Sequence, residues 1–214
     1  MLTQKDQLEL FKLISQNLKT DLSCYAFGGT AMMFYGYKDE TKDVDILFET
    51  ITERTEFIRI LNNLGYSETS AVKIYVPEKL KDPHAPIMLK RDESRFDIFV
   101  KKIFQTNLSP KMKEDLFAIH EYKGKHTFTV KVLRTEQLVI LKSVTDRDKD
   151  FEDIINIIKK DQDFDWNYLI DEVLWQTAHG DGWVLLDMEE TMQQLKKYIF
   201  IKEKWFKKLY QAKT

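Results

Sequence analysis

Cysteine is all but missing from this chain: Cys24 is the only one. A lone cysteine excludes an intrachain disulfide and a cysteine-rich zinc site. Its position in the apolar run before Gly28 predicts a buried thiol. Long hydrophobic runs are lacking as well, and no stretch approaches the length that spans a bilayer. The first residues carry no apolar stretch of the secretory kind, so the expected location is the cytoplasm, with no membrane partner. Two familiar nucleotide loops are absent. No Gly-x-x-x-x-Gly-Lys-Ser/Thr occurs, which removes a P-loop, and no Gly-x-Gly-x-x-Gly follows a strand, which leaves a dinucleotide fold without support. His84, His120, His126 and His179 lack ligand-like spacing and read as polar surface or loop residues. Ser23 and Ser143 have no nearby histidine and no nucleophile elbow. An excess of one charge is missing too. Against 33 Lys and Arg stand 35 Asp and Glu, so no global field draws the molecule onto nucleic acid or membrane.

What is present is the composition of a globular protein. At 214 residues there is room for one sizeable domain, or one domain with a smaller helical appendix. Aromatic residues, 13% of the chain, are enough to fill a core. Leu8, Leu10, Phe11, Ile14 and Leu18 predict a helix over Gln7–Leu18. Ser23–Phe27 reads as a short buried strand ending at Gly28-Gly29, and Thr30 as the cap of a short helix, Ala31–Tyr35. Asp43–Phe48 alternates as a strand does, and Thr52–Leu64 reads as a helix ended by Gly65. Val72–Val76 is strand-like, and two close prolines make Asp82–Pro86 a loop. Pro86–Lys90 and Arg95–Val100 predict a hairpin across the charged turn Arg91–Ser94. A helix over Lys111–His120 and a strand over Thr127–Leu133 follow. Helices are then predicted for Thr135–Val144, Asp148–Lys160, Trp166–Thr177 and Met188–Tyr210. The expectation is an α/β (α+β) core over residues 1–133, a small mixed sheet flanked by helices. Residues 134–214 form a helical C-terminal region.

Chemistry concentrates in two neighbouring stretches, Tyr25-Ala-Phe-Gly-Gly-Thr-Ala-Met and Thr41-Lys-Asp-Val-Asp-Ile-Leu-Phe. Strand side chains repeat every two residues, so Asp43 and Asp45 point to one face. Two carboxylates side by side repel each other, and a shared proton or a bound cation relieves them. The Gly28-Gly29 turn lets backbone amides approach a phosphate. Asp97, between Phe96 and Ile98 in a later strand, supplies a third carboxylate. Magnesium or manganese held by Asp43, Asp45 and Asp97 would form a two-metal clamp with ions roughly 3.5–4 Å apart, and Asp97 is placed to act as general base.

Gly28-Gly29-Thr30-Ala31 followed by Thr41-Lys42-Asp43-Val44-Asp45-Ile46 resembles the nucleotidyltransferase superfamily with the polymerase-beta-like fold. The nearest branch is the stand-alone proteins grouped with the AbiEii-type toxins, over about residues 20 to 160. The resemblance implies that Gly28, Gly29 and Thr30 contact a nucleoside triphosphate, and that Asp43 and Asp45, with Asp97 assisting, bind the metals. Leu138 to Ile154 resembles the family's lysine helix followed by an Arg/Lys-Asp helix. Lys142 interrupts an apolar helix, so its ammonium must find a partner or reach solvent, and a triphosphate is a natural partner. Arg147 and Lys149 would add phosphate contacts, and Asp150 would orient Lys142.

The activity implied is transfer of a nucleoside monophosphate from a triphosphate to a hydroxyl, with release of pyrophosphate. The toxin branch implies tRNA or protein as acceptor and a cognate antitoxin as partner. Two alternatives stay open: modification of a small molecule of the aminoglycoside type, and a binding module that keeps the fold without turnover. The final helix carries Lys196, Lys197, Lys202, Lys204, Lys207, Lys208 and Lys213 against Glu203, with Tyr198, Trp205 and Tyr210 interleaved. It reads as an amphipathic helix with its lysines in water, in competition with a phosphate-tracking surface for RNA.

Overall fold

The computed structural model describes residues 1–69, 84–145, 147–180 and 182–211. In chain order the first elements are β1 (Leu2–Thr3), α1 (Gln4–Asn17), β2 (Leu22–Ala26), α2 (Gly28–Phe34) and β3 (Glu40–Thr41). Then come β4 (Asp43–Phe48), α3 (Ile51–Asn63), β5 (Ser67–Glu68), β6 (Ile87–Arg91), β7 (Ser94–Val100) and β8 (Lys102–Ile103). β9 (Thr106–Asn107), α4 (Pro110–Glu114), β10 (Leu116–Lys123) and β11 (Thr127–Leu133) follow. The remaining elements are α5 (Thr135–Ser143), α6 (Asp148–Lys160), α7 (Trp166–His179), α8 (Val184–Leu195) and α9 (Glu203–Gln211). The strand expected at Val72–Val76 lies outside the described residues, as does part of the Asp82–Pro86 loop. Among the described residues no helix is long and apolar enough to cross a membrane.

The chain divides into two units. One comprises Met1–Ile103 and Leu116–Leu133, the other Phe104–Asp115 and Arg134–Thr214. The first holds a mixed sheet in the order β10-β11-β2-β4-β7-β6-β5. The pairs β11–β2 and β4–β7 are parallel, and the rest of that path is antiparallel. Alternation splits the strands cleanly. Cys24, Ala26, Val44, Ile46, Phe48, Phe96, Ile98, Phe128 and Val130 join one core with Leu10, Phe11 and Ile14 of α1 and Phe57, Ile60 and Leu61 of α3. Phe57 is fully buried and lies 5.0 Å from Phe48, 5.6 Å from Phe96 and 5.7 Å from Phe128 between ring centroids. Its truncation to alanine would cost about 3–5 kcal/mol. Capping boxes start both helices, Thr3 with Asp6 for α1 and Thr50 with Glu53 for α3. Gly65, at φ +85°, ends the second of these as its sequence suggested.

In the second unit α5 is buried on all sides, from Thr135 to Lys142, with α6, α7 and α8 packed around it. The polar side chains of α5 are engaged, as are several around it. Gln137 donates to the Met112 and Asp115 carbonyls and to Tyr168 Oη. Gln176 donates to the Asn107 carbonyl, and Ser109 to Glu172. Burial pushes the Glu172 carboxyl above the ordinary glutamate value, against the opposing hydrogen bonds from Gln176 and Ser109.

Three expectations need correction. Thr30 does not cap its helix. α2 begins at Gly28, and Thr30 lies inside it, because two glycines leave room for the turn to close earlier against β4. The helix expected over Lys111–His120 is five residues long and gives way to β10, whose pairing along β11 outweighs a weak helical pattern. The helix expected over Met188–Tyr210 is two helices. Tyr198-Ile-Phe-Ile, aromatic and β-branched, interrupts it after Leu195, whose carbonyl accepts from both Tyr198 and Ile199 amides.

Candidate functional site

The sheet face opposite the first unit's core carries the charge. β4 and β7 run parallel, with Asp43 beside Arg95 and Asp45 beside Asp97 in register. Side-chain alternation sets all four on one face, and strand spacing sets each cross-strand pair about 5 Å apart. Asp43, Asp45 and Asp97 are therefore brought together, though not around an open centre. The Arg95 guanidinium reaches Asp43 Oδ2 at 2.7 Å and Asp97 Oδ1 at 2.9 Å. A further hydrogen bond from Arg95 to Asp97 Oδ2 measures 3.0 Å. Burial opposes the charge on Arg95, but Asp97, Asp43 and Asp45 outweigh it and raise its pKa. Three carboxylates against one guanidinium still leave these four groups with excess negative charge.

The glycine bend meets the same cluster. The Gly29 amide donates to Asp45 Oδ2 at 3.1 Å, and the Asp45 amide donates to Thr30 Oγ1 at 2.8 Å. Gly28 has φ +55°, and a Cβ there would stand 2.5 Å from Asp45 Oδ2. A Cβ on Gly29 would stand 2.5 Å from Thr41 Oγ1. Glycine is needed at both positions for the α2 start to lie on β4. Asp45 thus receives a backbone amide from the first turn of α2.

Hard carboxylate oxygens are the donors that magnesium prefers. The donor types present therefore suit such an ion, and the glycine bend seats one of them. Arg95 holds the place between two of the three carboxylates. Among the described residues no three His, Cys, Asp or Glu side chains are grouped so that they could hold one metal ion. The guanidinium occupies carboxylate oxygens of Asp43 and Asp97 that a divalent cation would also use.

The second unit builds its own polar cluster. Lys142 is 7% exposed, and its Nζ lies 2.7 Å from both Asp150 Oδ1 and Asp153 Oδ2. Asp150 Oδ2 accepts from Thr145 Oγ1 at 2.6 Å and from Arg147 Nε at 2.5 Å. Burial alone would raise the Asp150 pKa, but Lys142, Thr145 and Arg147 together hold it below the ordinary value. Lys142, Arg147, Asp148, Phe151 and Glu190 line a cleft of 260 Å³. Lys149 lies in the first turn of α6, exposed.

Three participants were assigned no role from the sequence: Arg95, Thr41 and Asp153. Arg95 carries a legible signal, because it stands two residues before Asp97 in a strand and so shares its face. Asp153 stands three residues after Asp150, one helical turn on, and meets the same lysine. Thr41 left no signal, since only the approach of α2 to β3 gives it a role. No protein-family model and no curated protein matches the chain.

Proposed function

We propose that this chain is a metal-dependent nucleotidyltransferase of the polymerase-beta-like kind. It would move a nucleoside monophosphate from a nucleoside triphosphate to a hydroxyl of tRNA or protein. The acceptor oxygen forms a bond to the α-phosphorus, the bond to the β-phosphate oxygen breaks, and pyrophosphate leaves. Magnesium or manganese, when bound, supplies charge neutralisation on the phosphates and lowers the pKa of the acceptor hydroxyl. Asp43, Asp45 and Asp97 are the residues that would hold it, and Asp97 is the base that would take the hydroxyl proton. The Gly29 amide of the bend already holds Asp45, and the backbone amides flanking it are those that would meet the triphosphate.

One observation carries this reading: Asp45 and Asp97 are direct cross-strand neighbours beside a glycine bend, with Asp43 on the same face. A second reading, a binding module without turnover, draws on Arg95, whose guanidinium already balances part of the carboxylate charge. The two separate in one experiment. The protein is incubated with each labelled triphosphate, magnesium and total tRNA, beside Asp43→Ala and Asp45→Ala. The transferase reading expects label on the acceptor from the parent and none from either variant. Transfer that persists in both variants removes the site assignment. Nucleotide binding with no transfer to tRNA, protein or aminoglycoside leaves the binding module.

A further inference from the structure

The break between α8 and α9 produces a surface that the catalytic reading does not use. From Lys196 to Lys208 there are six lysines and one acid, Glu203, in a chain whose formal net charge is −2. Positive charge is thus concentrated in one short segment of an otherwise acidic protein. Ile201 is 6% exposed and anchors the connection, while its neighbour Phe200 is 86% exposed. The fold gains almost nothing from the Phe200 ring, while Tyr198, two residues earlier, is 54% exposed with its ring edge-on to Phe151 at 5.9 Å. Lys204 lies 4.2 Å over the Trp205 ring. Lys197, Lys202 and Lys207 are exposed and make no ion pair among the described residues.

Aromatic rings open to solvent and interleaved with unneutralised lysines match one chemistry closely: a flexible polyanion that carries flat, stackable groups. We propose that the α8–α9 turn docks single-stranded nucleic acid, its phosphates met by Lys197, Lys202 and Lys207 and a base stacked on Phe200. A bilayer is the poorer match. An interfacial helix turns its apolar face outward, whereas Phe206 and Leu209 of α9 are fully buried within the unit. The surface involves none of the carboxylates of the transferase reading, and it is tested without metal or triphosphate, so the two stand or fall separately.

The test is fluorescence anisotropy of short labelled single-stranded RNA and DNA, titrated with full-length protein over a range of salt. Binding should weaken with salt, and Lys197→Gln and Lys202→Gln should each lower the slope of log K against log salt by about 0.7. Phe200→Ala should weaken binding by roughly 5- to 150-fold, the loss of one base stack. Because Phe200 is exposed, its thermal melt should match the parent. Lys12→Gln, the same charge change at an exposed position of α1, should leave the slope unchanged. Equal losses in the Lys12 variant would show a general charge effect and overturn the proposal. So would tighter binding to duplex than to single strands, no effect of Phe200→Ala, or equal competition by poly-glutamate or phosphatidylserine vesicles.

Discussion

Gly28 holds φ +55°, where an L side chain is strained, and any Cβ would press on Asp45 Oδ2. Gly28→Ala should therefore destabilise the protein by about 2 kcal/mol, which a thermal melt will register. Asp45 should shift with it, since one side chain cannot occupy the Cβ position and the carboxylate position together. Arg95 poses the opposite case, a side chain whose removal should free carboxylate oxygens. It balances part of the charge of Asp43 and Asp97 at 32% exposure, in a partly screened environment. Arg95→Gln should cost about 1–2 kcal/mol in stability, because like charges then face each other. The same variant should bind manganese about tenfold more tightly, read by electron paramagnetic resonance without nucleotide. Unchanged manganese affinity would mean that Arg95 does not compete for the carboxylates. At this scale the sequence was informative about which side chains share a face, Arg95 with Asp97 included, and uninformative about the reach of that arginine to Asp43 on the next strand. A two-residue period aligns side chains, but the reach of a long side chain depends on the neighbouring strand.

Among elements, α5 and α6 are joined by the buried contact of Lys142 with Asp150 and Asp153. Asp150 is held below the ordinary carboxylate value of 3.8. Its contribution is complete above that value and is lost as pH falls through the lower, folded value, where the unfolded chain binds more protons. Asp150→Asn should flatten the acid limb of the stability curve below about pH 4, measured by urea unfolding across pH. An unchanged acid limb would show that Asp150 is no more ionised in the fold than in the open chain. The strand Asp43–Phe48, the strand Thr127–Leu133 and the helix Asp148–Lys160 were legible from alternation or stripe alone, residue for residue. Their own patterns are strong, and their neighbours ask nothing different of them. β10 was not legible, because Leu116–Lys123 becomes a strand through its partner β11 and not through its own composition.

For the whole molecule, the instructive segment is Phe104–Asp115, which leaves the sheet unit and belongs with the helices. Asn107, Ser109, Met112 and Asp115 there satisfy Gln176, Glu172 and Gln137, all buried polar side chains. A fragment starting at residue 134 strands those groups, each at about 1–3 kcal/mol, so it should fail to unfold cooperatively by circular dichroism. A cooperative transition at parental temperature would show that the excursion contributes little. The sequence by itself determined most of the longer elements, the apolar stripes, and the shared face of Asp43 and Asp45. These follow from local stereochemistry and periodicity, which act within a few residues. Only the tertiary structure decided that Asp97 stands beside Asp45, that Arg95 lies between the carboxylates, and that Lys142 meets two aspartates. Register between strands and packing between helices join residues far apart along the chain, and no local pattern encodes which partner a charge will meet.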